Sequence, residues 1–340
     1  MCKLVKSLYG LKQAPKQWYN KFDHVLITNG YSINDIDKCI YNKYEDNTCV
    51  IICLYVDDML IFGISLEVVC ETKKFIGSKY DMKNLGEAEV ILGIKIIRTP
   101  NELKLSQEHY VEKILRKFEH FDCKPVSTPY DPNSQLKKNR EHSVAQIEYA
   151  QIIRSLMYLM NCTRPDIAYV VGKLSQYTQS PNQDHWTVVR RVLKYLRGII
   201  NYGLYYSGFL SILEGFSDAN WILDLDEMKS TSGFVFILGG SVVSWKSAKQ
   251  TCVTQSTMVA EFIALEKASF EAKWLRNLLA DIHLWMRPTP SVSKRCNSQS
   301  TIGKAKSKIF NGKNMHIHLR HNIVRQLLEI GVISLEFVKS

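Results

Sequence analysis

The tetrapeptide Tyr55-Val56-Asp57-Asp58, set between the apolar runs Cys49 to Leu54 and Met59 to Phe62, constrains this chain more than any other feature. Two apolar segments joined by so short an acidic link fold back as an antiparallel hairpin. Residues 49–56 lack a one-face alternation, which predicts a strand buried on both sides with Asp57 and Asp58 forming the turn. Adjacent carboxylates repel, and apolar flanks leave little solvent to screen them. A divalent cation relieves that repulsion. Phosphoryl transfer by two Mg²⁺ ions ~3.5–4 Å apart uses a carboxylate platform of this kind. An ordinary Asp-Asp turn between two strands is the plain alternative.

Composition points to a polyanionic partner. The 340 residues carry 44 Lys and Arg against 33 Asp and Glu, a formal net charge of +11, and nucleic acid is the partner that such a balance favours. An acidic membrane surface is the competing reading. Against it, no run approaches the ~20 apolar residues of a membrane span, and the first residues lack the apolar core of a secretory signal. The expectation is an intracellular, non-secreted chain with no membrane partner. Its 9 Cys contain no CxxC pair and often sit within apolar runs, as at Cys49, Cys53 and Cys162, so they read as reduced thiols.

Several longer motifs accompany the acidic turn. Lys6-Ser7-Leu8-Tyr9-Gly10-Leu11-Lys12-Gln13-Ala14-Pro15-Lys16-Gln17-Trp18-Tyr19 precedes it. Lys83-Asn84-Leu85-Gly86-Glu87, Leu92-Gly93-Ile94-Lys95-Ile96, Lys124-Pro125-Val126-Ser127-Thr128-Pro129 and Thr163-Arg164-Pro165-Asp166-Ile167-Ala168-Tyr169 follow. Together they resemble, nearly end to end, the polyprotein of copia-type long-terminal-repeat retrotransposons. The resemblance implies that Tyr55 to Asp58 is the catalytic turn of a reverse transcriptase palm, with Asp57 and Asp58 holding Mg²⁺ or Mn²⁺. It places Gly10, Lys12 and Gln13 against template and incoming nucleotide. It makes residues 83–87 and 92–96 primer-grip strands and assigns 124–129 and 163–169 to the connecting region. The implied partners are template-primer nucleic acid, an RNA:DNA hybrid and dNTP.

Local patterns divide the chain. Residues 122–143 hold three Pro with Lys, Arg, Asn and Ser and no sustained apolar period, so they read as an exposed connector. Helical spacing predicts helices over 67–80 and 107–121 before it, and around 148–160, 165–178 and 184–198 after it. Pro165 suits a first helical turn. Arg190, Arg191, Lys194 and Arg197 could grip a phosphate backbone or form a solvated basic face.

The last third begins with Leu213-Glu214-Gly215-Phe216-Ser217-Asp218-Ala219-Asn220-Trp221. A strand ending in Asp218 leads to a hairpin over 233–245 and a long helix over 256–281 with Glu261 near its start. This order resembles the ribonuclease H domain of the same polyproteins, in which four carboxylates hold two Mg²⁺. By that resemblance Asp218 and Glu261 are the first and second metal ligands and catalytic residues. Taken singly, they read as a cap and a helix-dipole partner. At the third ligand position the family ordinarily has Asp, whereas this chain has Asn297, whose neutral amide oxygen supplies no charge. Elsewhere, His316, His318 and His321 invite a zinc reading, but the family's His- and Arg-rich segment here favours an approach to nucleic acid or to the active-site edge. Lys304, Lys306 and Lys308 read as a phosphate track or a solvated run.

The expected fold is therefore α/β (α+β): a partial right-hand palm with a helical connection, followed by a ribonuclease H-like mixed sheet flanked by helices. The expected divisions are 1–121 palm with primer grip, 122–143 linker, 144–210 helical thumb or connection, and 211–340 a C-terminally truncated ribonuclease H-like domain. In the family a third palm Asp and the fingers lie upstream of Met1 to Gly10, and a fourth carboxylate lies beyond the strand 332–338. The resemblance thus implies little polymerase or ribonuclease H turnover from this chain alone. Two functions remain: a piece of a reverse transcriptase and ribonuclease H, or a catalytically dead remnant that only binds nucleic acid.

Overall fold

The computed structural model describes residues 14–45, 48–56, 58–134, 136–140, 142–208, 212–224, 228–282, 289–307 and 315–339, with backbone alone at 222–224, 315 and 316. The chain forms two compact units, one of residues 1–88 and 274–289 and the other of residues 89–273 and 290–340.

In the first unit, helix α1 (Ala14–Thr28) precedes strands β1 (Ser32–Ile33), β2 (Ile40–Glu45), β3 (Thr48–Tyr55) and β4 (Asp58–Gly63), and helix α2 (Leu66–Lys79) follows. The strands run antiparallel in the order β1-β2-β3-β4. Ser65 starts α2 by accepting the Val68 N–H at 3.4 Å, a side-chain cap for an otherwise orphaned donor. Phe22 and Leu26 of α1, Ile76 of α2, and Tyr41, Val50, Ile52 and Leu54 of the sheet form one core. The structure corrects the expectation for β3. Val50, Ile52 and Leu54 are buried while Ile51 and Cys53 between them are half-buried, because the core residues of α1 and α2 pack against one face of the sheet. An apolar residue at every position hid that alternation in the sequence.

The second unit opens with β5 (Val90–Ile91), β6 (Ile94–Arg98) and β7 (Glu102–Ser106), then α3 (Glu108–Lys117), α4 (Gln146–Cys162), α5 (Ala168–Leu174), α6 (Gln183–Gly198) and β8 (Gly203–Ser207). These strands form an antiparallel sheet in the order β5-β6-β7-β8. Residues 83–87, expected as a grip strand, are irregular, whereas residues 92–96 hold the β5–β6 turn and the start of β6. Pro165 begins a 3-10 turn, Pro165–Ile167, that runs into α5, as its fixed φ favours. Asn182 and His185 form a reciprocal capping box at the start of α6. Apolar residues of α3, α4, α5 and α6 make the helical core, with Tyr130 and Leu136 of the connector packed against it.

Strands β9 (Glu214–Asp224), β10 (Lys229–Leu238), β11 (Ser241–Val253), β12 (Val292–Cys296) and β13 (Ile333–Phe337) form a mixed sheet, accompanied by α7 (Thr257–Asp281), α8 (Gln299–Lys306) and α9 (Met315–Glu329). The order is β11-β10-β9-β12-β13. The first three strands are antiparallel, and β12 runs parallel to both β9 and β13. This is the ribonuclease H-like arrangement expected from the sequence. Gly239 and Gly240, with φ of 62° and 80°, make the tight turn between β10 and β11, a conformation open to glycine at little cost. Ser256 caps α7 by accepting the Val259 N–H at 3.3 Å. Ala260, Ala264, Ala268 and Ala272 recur every fourth residue along α7 and are all buried.

Candidate functional site

Three residues singled out from the sequence meet at one end of the mixed sheet. Asp218 lies on β9, Glu261 lies one turn into α7, and Asn297 directly follows β12. The parallel β9–β12 ladder pairs Ser217 with Cys296, so the next residue on each strand is Asp218 or Asn297. The Asn297 side-chain amide donates to Asp218 Oδ1 at 3.3 Å. Glu261 is 9% exposed, and its Oε2 is buried without a hydrogen-bond partner. Burial first, and the Asp218 carboxylate second, push Glu261 up to about 7, while the Ala219 backbone N–H pulls the other way. A desolvated carboxylate facing another carboxylate is the electrostatic arrangement that a divalent cation completes. The donor set fits such an ion, with Asp218 and Glu261 as charged ligands and the Asn297 carbonyl oxygen as a neutral one. Among the described residues no three of His, Cys, Asp and Glu converge as metal ligands, and here the third place is taken by an amide.

The palm hairpin is described in part. Tyr55 pairs with Asp58, so Asp58 opens β4, a correction to the expectation that both carboxylates form the turn. Val56 has φ of 51°, a left-handed conformation that a β-branched side chain adopts only under constraint. Tyr55, Val56 and Asp58 are exposed at the tip. Asp57 lies outside the described residues, as do Gly10, Lys12 and Gln13.

Other basic candidates are occupied by structural roles. Arg191 donates to the Thr128 carbonyl and hydroxyl at 3.2 and 2.7 Å, and Arg197 donates to the Phe121 carbonyl at 2.5 Å while stacking on its ring. They tie α6 to Thr128 of the connector and to Phe121 just before it. His321 is buried, with Nε2 2.9 Å from the Lys304 carbonyl and its ring stacked on Phe262. Arg320 pairs with Glu266. Lys306 donates to the Leu335 carbonyl at 3.5 Å, and Lys308 lies outside the described residues. The eight Cys among the described residues are unpaired, with Cys49 and Cys296 buried and Cys53 and Cys162 half-buried.

Two features escaped the sequence reading. Arg164, 2% exposed, makes a forked pair with Asp166 at 2.9 and 2.6 Å, while Tyr195 donates to the same carboxylate at 2.9 Å. The Thr163 to Tyr169 motif therefore locks α4, α5 and α6 together. Lys294 on β12 is fully buried, and its ammonium donates to the Leu265 carbonyl at 2.8 Å and to Ser269 Oγ at 2.9 Å on α7. Burial lowers it to about 7. A signal for it existed: alternation places Lys294 on the same strand face as Val292 and Cys296, and all three are buried.

Residues 1–132 match the family model described as reverse transcriptase (RNA-dependent DNA polymerase). The chain is 39% identical over 339 residues, 97% of its length, to the retrovirus-related Pol polyprotein from transposon TNT 1-94 of Nicotiana tabacum, of which it spans 25%. It is 30% identical over 272 residues, 79% of its length and 88% of the relative's, to a putative transposon Ty5-1 protein of Saccharomyces cerevisiae. In fold it is similar to a foamy viral protease-reverse transcriptase solved in complex with dsDNA. That likeness has a TM-score of 0.53 at 14% identity and covers 98% of this chain and 60% of that one. No helix among the described residues is long and apolar enough to cross a membrane.

Proposed function

Because this chain belongs to the Pol polyproteins of copia-type retrotransposons, we propose that it is a reverse transcriptase and ribonuclease H segment that engages RNA:DNA hybrid but hydrolyses it poorly. The observation that carries this reading is Asn297, whose amide donates to Asp218 where the family places a third carboxylate. Asp218 and Glu261 would hold a divalent cation, Mg²⁺ or Mn²⁺, which when bound neutralises phosphate charge and activates water. Asn297 contributes a neutral oxygen and leaves the centre one negative charge short, which weakens retention of a hard cation. Burial and the Asp218 carboxylate push Glu261 up to about 7, and a cation held there would favour its charged form. The formal net charge of +11 supports nucleic acid as the bound partner.

In the first unit, Asp57 and Asp58 are read as the catalytic carboxylate pair of the palm hairpin, acting on template-primer and dNTP, with Gly10, Lys12 and Gln13 beside template and nucleotide. The intact Asp57-Asp58 pair favours a second reading, in which the segment contributes to catalysis within a larger assembly. End-labelled RNA in an RNA:DNA hybrid, incubated with Mg²⁺ or Mn²⁺, tests the first reading. Hybrid should be bound and left uncut. Robust cleavage abolished by Asp218→Asn would overturn the proposal, and primer extension lost on Asp57→Asn would favour the second reading.

A further inference from the structure

Away from Asp218, a cavity of about 50 Å³ opens between α5 and the β10–β11 hairpin. That volume exceeds the ~10–15 Å³ needed for one water and suits a small oxyanion. Its lining includes Lys173 and Tyr169 of α5, Lys249 and Ser247 of β11 and Thr231 of β10, and none of the described lining residues is acidic. Lys173 is held in place: its Nζ donates to Tyr130 Oη at 3.1 Å and lies 5.2 and 6.0 Å from the Tyr130 and Tyr169 ring centroids. Aromatic rings orient an ammonium without cancelling its charge as a carboxylate does. The Lys173 ammonium, with Lys249, Ser247, Thr231 and Tyr169 lining the same small volume, matches the tetrahedral, multiply accepting oxygens of a phosphate.

The ladder relates this cavity to the candidate centre. Asp218 pairs with Gly233, and Gly233 pairs with Ser247, while Thr231 pairs with Lys249 one step along. Asp218 and Ser247 are therefore the ends of one row across three strands, roughly 10 Å apart at ~4.8 Å per strand. A duplex lying at Asp218 carries a backbone phosphate every ~3.4 Å along each strand, so phosphates fall within that span.

We infer that the cavity between α5 and the β10–β11 hairpin, carrying Lys173, Lys249, Ser247 and Thr231, seats a phosphodiester of nucleic acid bound at the Asp218 centre. This rests on the reading of the chain as a binder of RNA:DNA hybrid. The seat fixes how the duplex lies across the sheet and leaves bond cleavage to the other end of the row.

The test is anisotropy of a labelled RNA:DNA hybrid titrated with the full chain at several KCl concentrations. Lys173→Gln and Lys249→Gln should each weaken binding several-fold and lower the slope of log affinity against log salt by about one. Ser247→Asp, which adds a carboxylate to the cavity lining, should weaken binding at least as much. Exposed Lys113 gives the baseline for generic charge loss through Lys113→Gln. Urea unfolding of each variant confirms the fold, and Ser247→Asp and Lys249→Gln decide the matter if Lys173→Gln does not fold. Cavity variants that bind like Lys113→Gln while wild type binds hybrid overturn the seat alone. A wild-type chain that binds no hybrid overturns the functional reading and the seat together. If inorganic phosphate raises Tm of wild type but not of Lys173→Gln and the salt slopes are unchanged, the cavity takes a free oxyanion and the phosphodiester assignment falls.

Discussion

Asn297 donates its side-chain amide to Asp218 Oδ1 at 3.3 Å, so a neutral donor occupies the third position of the proposed cation centre. The amide relieves part of the Asp218 charge by itself. Buried Glu261 Oε2, without a hydrogen-bond partner, is the atom left for a cation to satisfy.

Replacing that amide with a carboxylate should reverse the balance. Asn297→Asp is expected to tighten Mn²⁺ binding by about tenfold or more and to lower metal-free stability through like-charge repulsion. Calorimetric titration with Mn²⁺ and thermal unfolding with and without it measure both. The same variant should raise hybrid cleavage from background, and unchanged metal affinity would count against Asn297 as a ligand position.

Asp166 holds a guanidinium that has almost no contact with water. Asp166→Asn leaves Arg164 with a neutral partner in a buried setting and should cost about 2–3 kcal/mol. This is below the ~3–5 kcal/mol of a fully buried pair, since the Asp166 side chain is 31% exposed. Arg164→Lys keeps the charge but loses the fork and should also destabilise. The midpoint of urea unfolding reports each change.

Lys294 makes stability depend on alkaline pH. Its folded value of about 7 lies below the ordinary 10.5, so between these limits the unfolded chain binds the extra proton. Stability therefore rises as pH climbs from about 7 towards 10.5, and this group adds no slope below 7. Lys294→Met should flatten that rise. Unfolding midpoints at pH 7, 8 and 9 for both proteins test it, and parallel profiles would refute it.

Val56 spends backbone energy at the palm turn. Val56→Gly should stabilise the protein by about 1 kcal/mol, because glycine accepts φ of 51° without the left-handed penalty of a β-branched residue, partly offset by its unfolded-state entropy. Chemical denaturation gives the difference.

The sequence carried the site where the local order of elements sufficed. A strand carrying Asp218, a hairpin and a helix starting before Glu261 are short-range patterns, although β9 runs on to Asp224 and does not end at Asp218 as expected; the register that aligns Ser217 with Cys296 brings Asn297 beside them. It carried less where burial decides a role. Arg191 and Arg197 have the spacing of a solvated basic face, yet carbonyls distant in sequence at Thr128 and Phe121 claim both. Arg164 and Asp166, two positions apart, do not face each other on a helix, so their pairing becomes evident only when α4, α5 and α6 close around them.

The alanines of α7 also determine what the Asp218–Glu261 pair can tolerate. Ala260, Ala264, Ala268 and Ala272 are all buried, and a methyl group has no rotamers to readjust. Ala260 has no exposure and precedes Glu261 directly. A bulkier residue there would have to displace its surroundings and so disturb the placing of Glu261 beside Asp218 without altering either carboxylate, which makes the centre depend on one of the least reactive side chains on the helix.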